Sequence, residues 1–139
     1  MIRTVICAAV LLLGTATFAA DKKVDFEKEI WPILHDKCVK CHRAPYKKGT
    51  RTKKPKGDLR LDDAKLLMQG GEGGACVEPG KPDKSSLYKL CLLPPDHDDV
   101  MPPEGKADPL TDKEKGLLKR WIEEGANFGS WTKGEYKGE

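Results

Sequence analysis

The sequence is short of apolar residues and carries no strong excess of either charge. Hydrophobic residues make up 38% of its 139 positions, and the mean hydropathy is −0.58. The formal net charge of +3 at pH 7 is too small for the basic footprint of a nucleic-acid-binding domain. A chain of this length makes one domain, and one this polar has a marginal core unless a bound group enlarges it.

The sequence patterns for three kinds of binding site are incomplete. In the glycine-rich stretch 70–80, Ala75 stands where a phosphate loop needs glycine, and Cys76 takes the last glycine position of the dinucleotide-binding pattern. A zinc site typically needs two pairs of closely spaced Cys or His ligands. The sequence has one such pair and no second one. We expect the glycines instead to let the backbone pass closely over a bound cofactor.

The first twenty residues have the order of a secretory signal. Arg3 is their only charge, an apolar run covers residues 5–13, and small residues lead up to Ala20. The run is too short to cross a bilayer comfortably, so a retained membrane anchor is the weaker interpretation. We therefore expect residues 1–20 to be a signal peptide. The remaining chain is expected in the periplasm or otherwise exported, without stable membrane insertion.

Two of the four later cysteines form a motif with a known chemistry. Cys38 and Cys41 precede His42 in the C-x-x-C-H pattern, in which two thiols reach the vinyl groups of one porphyrin and the histidine binds its iron. Such a haem is attached outside the cytoplasm, which agrees with a signal peptide. We predict one covalently bound haem c. A thioredoxin-like redox pair is disfavoured because a helical pattern, and not a strand, precedes the motif.

The other two cysteines, Cys76 and Cys91, have fourteen residues between them. In an oxidising compartment such a pair usually forms a disulfide, and we expect one here. The alternative is two buried free thiols.

The second axial ligand of the iron decides between an electron carrier and an enzyme or sensor. The candidates are Met101, Met68, His35 and His97. Met101 precedes two prolines, which fix the backbone and remove amide donors, as suits a rigid loop that presents sulfur. A thioether ligand also raises the reduction potential, as an electron carrier requires. Met101 is the preferred candidate and His97 its best rival.

Helical spacing of apolar residues is clearest near the two ends of the chain. It predicts a helix from 25 to about 38, with Asp25 as N-cap and Pro32 as a kink or the start of a second half. A short helix is expected at 63–69. The last helix begins with the capping box 111–114 and ends before a glycine.

Two segments lack such a pattern. The lysine- and arginine-rich segment 43–56 is expected to be a solvated loop that begins beside the haem attachment motif. It either steers an acidic redox partner or is simply soluble. Residues 127–139 are expected to be a loose C-terminal tail after a domain at 21–126.

The motifs follow one another in a characteristic order. In this chain they are Phe26-x₃-Ile30-x-Pro32-Ile33-Leu34, Cys38-x-x-Cys41-His42, Gly57-x-Leu59-Arg60-Leu61-Asp62, Gly70-Gly71-x-x-Gly74, Pro79-Gly80-x-Pro82-x₃-Ser86-Leu87, Met101-Pro102-Pro103 and Trp121-Ile122-x-x-Gly125-Ala126. This order resembles the planctomycete-type cytochrome c domain over essentially all of the chain after residue 20.

The resemblance implies an all-α, class I cytochrome c-like fold, with three to five helices around one covalently bound haem and with long loops. It also implies His42 and Met101 as axial ligands. We expect a monomeric electron-transfer protein and not an enzyme. The alternatives are a haem enzyme or small-ligand sensor with an open or displaceable distal position, and a haem subunit of a larger exported complex. No clear distal acid–base pair supports a peroxidase.

Overall fold

The computed structural model describes residues 22–138. The expected signal peptide at 1–20 lies outside these residues. Over the described part of the chain, no helix has the length and the apolar character needed to cross a membrane.

The secondary structure consists of many short elements. In chain order these are the π-helical turn Phe26–Ile30, helix α1 (Trp31–Leu34), the π-helical turn His35–Val39, strands β1 (Tyr46–Lys48) and β2 (Arg51–Lys53), the 3₁₀ turn Lys56–Asp58, helix α2 (Ala64–Gln69), the 3₁₀ turn Pro82–Lys84, helix α3 (Ser86–Lys89), the 3₁₀ turn Leu90–Leu92 and helix α4 (Asp112–Glu123).

Side-chain caps start the helices where the sequence predicts them. The Asp25 carboxylate accepts a hydrogen bond from a backbone N–H of the first turn, and Asp63 does the same for α2. Thr111 and Glu114 form the expected capping box of α4. Pro32 lies in the first turn of α1, where its missing N–H breaks no helical hydrogen bond. The predicted caps at Asp25 and at 111–114 are confirmed, and α1 begins one residue before Pro32.

The expectation of an all-α, class I-like fold is wrong. Only 38% of the structure is helical, and α1 to α3 are four to six residues long. A two-stranded antiparallel sheet follows the C-x-x-C-H motif, with Lys48 opposite Arg51. Gly49, at φ 62°, starts the two-residue turn between the strands, a conformation that costs glycine little. The segment expected as a solvated loop is therefore in part an exposed hairpin.

The core lies where α4 packs across the N-terminal helical turns. Ile30, Leu34, Leu118 and Ile122 are all at most 1% exposed. A hydrogen bond between distant parts of the chain closes this region, because the backbone N–H of Val24 donates to Glu124 Oε2 at 2.7 Å. The N-terminal helical stretch and the last helix thus meet, with the attachment motif directly following the former.

The segment after α4 is not loose. The ring centroids of Phe128 and Trp131 lie 4.6 and 4.7 Å from that of Phe26, and Trp131 is only 7% exposed. The backbone N–H of Gly134 donates to the carbonyl of Asp62 at 3.0 Å. Aromatic packing of this kind adds to area burial, so the expected tail is a structural part of the domain. The expected boundary at residue 126 stays a prediction.

We expect Gly134→Ala to destabilise the protein by about 1–3 kcal/mol through overpacking. A Cβ at this position would lie 2.0 Å from the indole ring of Trp31. Gly73→Ala is the control, because a Cβ at Gly73 meets no atom within 4 Å. Denaturant titration of both variants measures the difference, and equal stability of the two would contradict the packing described for this segment.

Candidate functional site

The structure brings the four residues singled out for haem binding to one cavity. Cys38, Cys41, His42 and Met101 line a hollow of about 290 Å³. An adjoining hollow of about 640 Å³ shares Met101 as a wall residue. Sulfur and imidazole ligands separated by about sixty residues in sequence therefore face the same space.

The rivals of Met101 do not line this cavity. Met68 packs against the hydrophobic core. His97 is exposed, and its Nδ1 accepts a hydrogen bond from the backbone N–H of Asp99 at 3.0 Å. His35 lies among aromatic rings, 5.3 Å from the Tyr136 ring centroid. Among residues 22–138, Met101 is the one candidate for a second ligand that lines the cavity with His42.

Most of the remaining wall is apolar. Its hydrophobic members come from the segment after the hairpin, from the α3 region and from the loop around Met101, namely Leu59, Leu61, Leu87, Leu90, Pro102, Pro103 and Ala107. Such a lining excludes water and suits a flat apolar ligand held by a few placed polar groups.

The imidazole of His42 is oriented by a hydrogen bond to the main chain. Its Nδ1 lies 3.1 Å from the carbonyl oxygen of Lys56. Since a carbonyl only accepts, Nδ1 carries the proton and the lone pair of Nε2 remains available. Burial lowers the pKa of His42, which favours the neutral imidazole that metals bind.

The backbone around the motif is held by segment 56–61. The N–H of Lys56 donates to the carbonyl of Cys41 at 3.0 Å, and the N–H of Leu61 donates to that of His42 at 2.9 Å. The motif is thus fixed by strand-like contacts as well as by the helical turn that ends at Val39.

The family comparison covers this part of the chain. The family model of planctomycete cytochrome C matches residues 38–105, from the first cysteine of the motif to just past Met101. Over these residues the chain is similar to that family. The match takes in slightly less than half of the chain and confirms the resemblance found in the sequence. No curated protein and no solved structure matches the chain.

The similarity of residues 38–105 to planctomycete cytochrome C suggests a c-type haem protein, and the geometry fits a haem. The two motif thiols, an imidazole and a thioether share one mostly apolar cavity. By contrast, among residues 22–138 no group of three or more His, Cys, Asp and Glu side chains is arranged to bind a bare metal ion.

The expected disulfide between Cys76 and Cys91 is not present in the structure. Both are free, buried cysteines, and both line the cavity. The Sγ of Cys76 donates to the carbonyl of Leu67 at 3.6 Å, and that of Cys91 to the carbonyl of Leu87 at 3.2 Å. Each thiol therefore has its own backbone acceptor, which corresponds to the alternative of two buried thiols.

The glycines of 70–80 serve the fold of the domain itself. A Cβ at Gly70 would lie 1.9 Å from the carbonyl oxygen of Gly74, and one at Gly71 would lie 2.3 Å from that of Gly57. Neither Gly70 nor Gly71 lines the cavity. The expectation that these glycines let backbone pass over the cofactor is not supported, because the close approach is between two chain segments.

Sequence reasoning missed two groups of residues at the site. The first comprises the backbone acceptor of Lys56 and the buried carboxylate of Asp62, which is 7% exposed. For Asp62, the available signal was the alternation of apolar and polar residues at 59–62. The other group comprises cationic side chains at the cavity mouth, of which Lys37, Lys40 and Lys106 lie outside the basic segment singled out above.

We expect Cys76 and Cys91 to stay reduced in the haem-loaded protein. Burial raises the pKa of each thiol to about 11, so little reactive thiolate exists at neutral pH. A chain beginning at residue 21, which lacks Cys7, should gain two alkyl groups by mass spectrometry after denaturation without reductant and almost none before. Cys76→Ser should gain one. No alkylation until a reductant is added would instead establish the disulfide.

Proposed function

We propose that this protein is an exported one-electron carrier with a single haem c attached to Cys38 and Cys41. His42 and Met101 are its axial ligands in this proposal. The observation that carries the proposal is the shared cavity, which brings the imidazole of His42 and the thioether of Met101 together with the two motif thiols. The family match supports a c-type haem, and the signal-like first twenty residues support export.

The haem supplies an iron that cycles between ferric and ferrous states, and the chain sets the conditions for that cycle. Cys38 and Cys41 anchor the porphyrin through thioether bonds. His42 presents Nε2 with its ring held by the Lys56 carbonyl. Met101 favours ferrous iron, and the leucine-lined walls exclude water, so both raise the reduction potential.

A second candidate function rests on the hollow behind Met101. This hollow is lined in part by the loop that carries Met101, with Leu93, Val100, Pro109 and others. If the loop moves into that space, the sixth iron position opens to a small neutral ligand such as carbon monoxide, and the protein acts as a sensor or enzyme. The carrier is favoured because Met101 already lies on the cavity wall.

We expect Met101→Ala to abolish the long-wavelength absorption band that marks sulfur ligation of ferric haem. The variant should also bind carbon monoxide readily in the ferrous state, because none of the other candidate ligands, Met68, His35 and His97, lines the cavity. Met68→Leu is the matched control and should leave the spectrum unchanged, since Met68 packs in the core.

Optical spectra of the oxidised and reduced protein measure these changes. A wild-type protein that is already high-spin and binds carbon monoxide as fast as Met101→Ala would argue for the sensor or enzyme. Absence of covalent haem would contradict the proposal altogether.

The partner is proposed to be an acidic redox protein that docks at the mouth of the cavity. Five charged residues line the cavity at its rim. Four of them are lysines and one is acidic, namely Lys37, Lys40, Lys56, Lys106 and Asp36. The hairpin strands β1 and β2 carry further positive charge but do not line the cavity. Electron transfer is fastest where the partner approaches the cofactor, so the mouth is favoured over the hairpin for docking. The carrier is proposed to act as a monomer.

We expect charge removal at the mouth to slow electron transfer to an anionic oxidant more than charge removal on the hairpin. The mouth variant changes Lys37, Lys40 and Lys106 to Gln, and the matched control changes Lys47, Lys48 and Lys53 to Gln. Oxidation of the reduced protein by ferricyanide at low ionic strength should slow roughly tenfold in the former. High salt should remove the difference. Equal rates for the two variants at low salt would place the steering charge elsewhere.

A further inference from the structure

Asp62 is an unusual residue in this structure because it is a buried carboxylate. It is 7% exposed, and Asp62 and Ser85 are the buried polar residues among those described at 22–138. Burial of a charged group is costly unless the group is paired and hydrogen-bonded. The position therefore needs a reason beyond solubility.

Both carboxylate oxygens of Asp62 are engaged. Arg60 donates from Nε to Oδ1 at 3.0 Å and from Nη2 to Oδ2 at 3.1 Å, a two-point pairing that fixes the plane of the carboxylate. Oδ2 also accepts the backbone N–H of Ala44 at 2.9 Å. The third bond links Asp62 to the segment that follows the haem attachment motif.

The neighbouring residue, Leu61, also binds the chain next to the attachment motif. The N–H of Leu61 donates to the carbonyl of His42 at 2.9 Å. Residues 61 and 62 thus hold the chain on both sides of Arg43, one at the carbonyl of His42 and the other at the N–H of Ala44. The ring of His42 is held separately, by the Lys56 carbonyl.

We propose that Asp62, with Arg60, is a positioning residue for the axial ligand His42. This inference rests on the proposed function, in which His42 binds the iron. The carboxylate fixes the main chain just after His42, and with the main chain fixed the imidazole plane keeps one orientation relative to the iron. Arg60 holds the carboxylate in place and neutralises its charge in the buried setting.

The test uses haem-loaded protein and the variants Asp62→Asn and Arg60→Gln. Asp58→Asn is the control, because Asp58 is exposed in the same segment and its φ of 49° is one that asparagine tolerates. The readouts are the g values of the ferric haem by electron paramagnetic resonance, the reduction potential, and hydrogen exchange of the Ala44 amide.

A positioning role predicts that both variants shift the g values in the same direction while the control does not. The Ala44 amide should exchange at least about tenfold faster, since its charged acceptor is lost or released. Arg60→Lys, which keeps the charge but not the two-point pairing, should lie between wild type and Arg60→Gln.

Two outcomes would overturn the inference. A purely electrostatic role would move the reduction potential in opposite directions in the two variants, upward in Asp62→Asn and downward in Arg60→Gln, with unchanged g values. A purely structural role would lower stability with both g values and potential unchanged. The wild-type spectrum tests the proposed function separately. A wild-type haem without histidine and sulfur ligation would contradict that proposal before any variant is compared.

Discussion

The hydrogen bond from His42 Nδ1 to the carbonyl of Lys56 is the interaction on which the site depends. It sets the tautomer of the imidazole and holds the ring of His42, which lines the cavity. This carbonyl lies fourteen residues after His42 in sequence, so the chain must turn back to the motif. The exposed hairpin lies in the intervening segment. The hydrogen bonds of Lys56 and Leu61 with the motif backbone hold the returning chain in place.

The two sides of the cavity are built differently. The side of His42 is held by several backbone hydrogen bonds and by a buried ion pair. Among residues 22–138, the loop around Met101 has a hydrogen bond to the rest of the domain. The N–H of Met101 donates to the carbonyl of Leu90 at 3.1 Å. His42 is therefore fixed by a network, and Met101 by this hydrogen bond and by the stiffness of the prolines that follow it.

Much of the site could be predicted from the sequence because local chemistry determines it. The C-x-x-C-H motif, the Met101-Pro102-Pro103 segment, and the caps at Asp25, Asp63 and Thr111 each depend on residues close together in the chain. The hairpin was missed because its strands are exposed and consist of Lys, Arg, Thr and Tyr without an apolar face.

Long-range contacts account for the other misses. The free state of Cys76 and Cys91, the packing of Trp131 and the burial of Asp62 depend on partners that sequence spacing does not identify. The expectation from composition, that a core with few apolar residues needs a bound group, stays a prediction. The all-α expectation came from the resemblance, and it failed because short helices and turns replace long helices over most of the chain.

The aromatic contacts of Phe26 determine when the domain can finish folding. Its ring packs against Trp121, Phe128 and Trp131, which lie about a hundred residues further along the chain. A chain that emerges from its N-terminus onward therefore holds an incomplete core until its last residues are free. The motif at 38–42 and the segment that clasps it at 56–62 lie close in sequence and are available much earlier. The motif cysteines therefore precede the completed core by an interval that the C-terminal aromatic residues bring to an end.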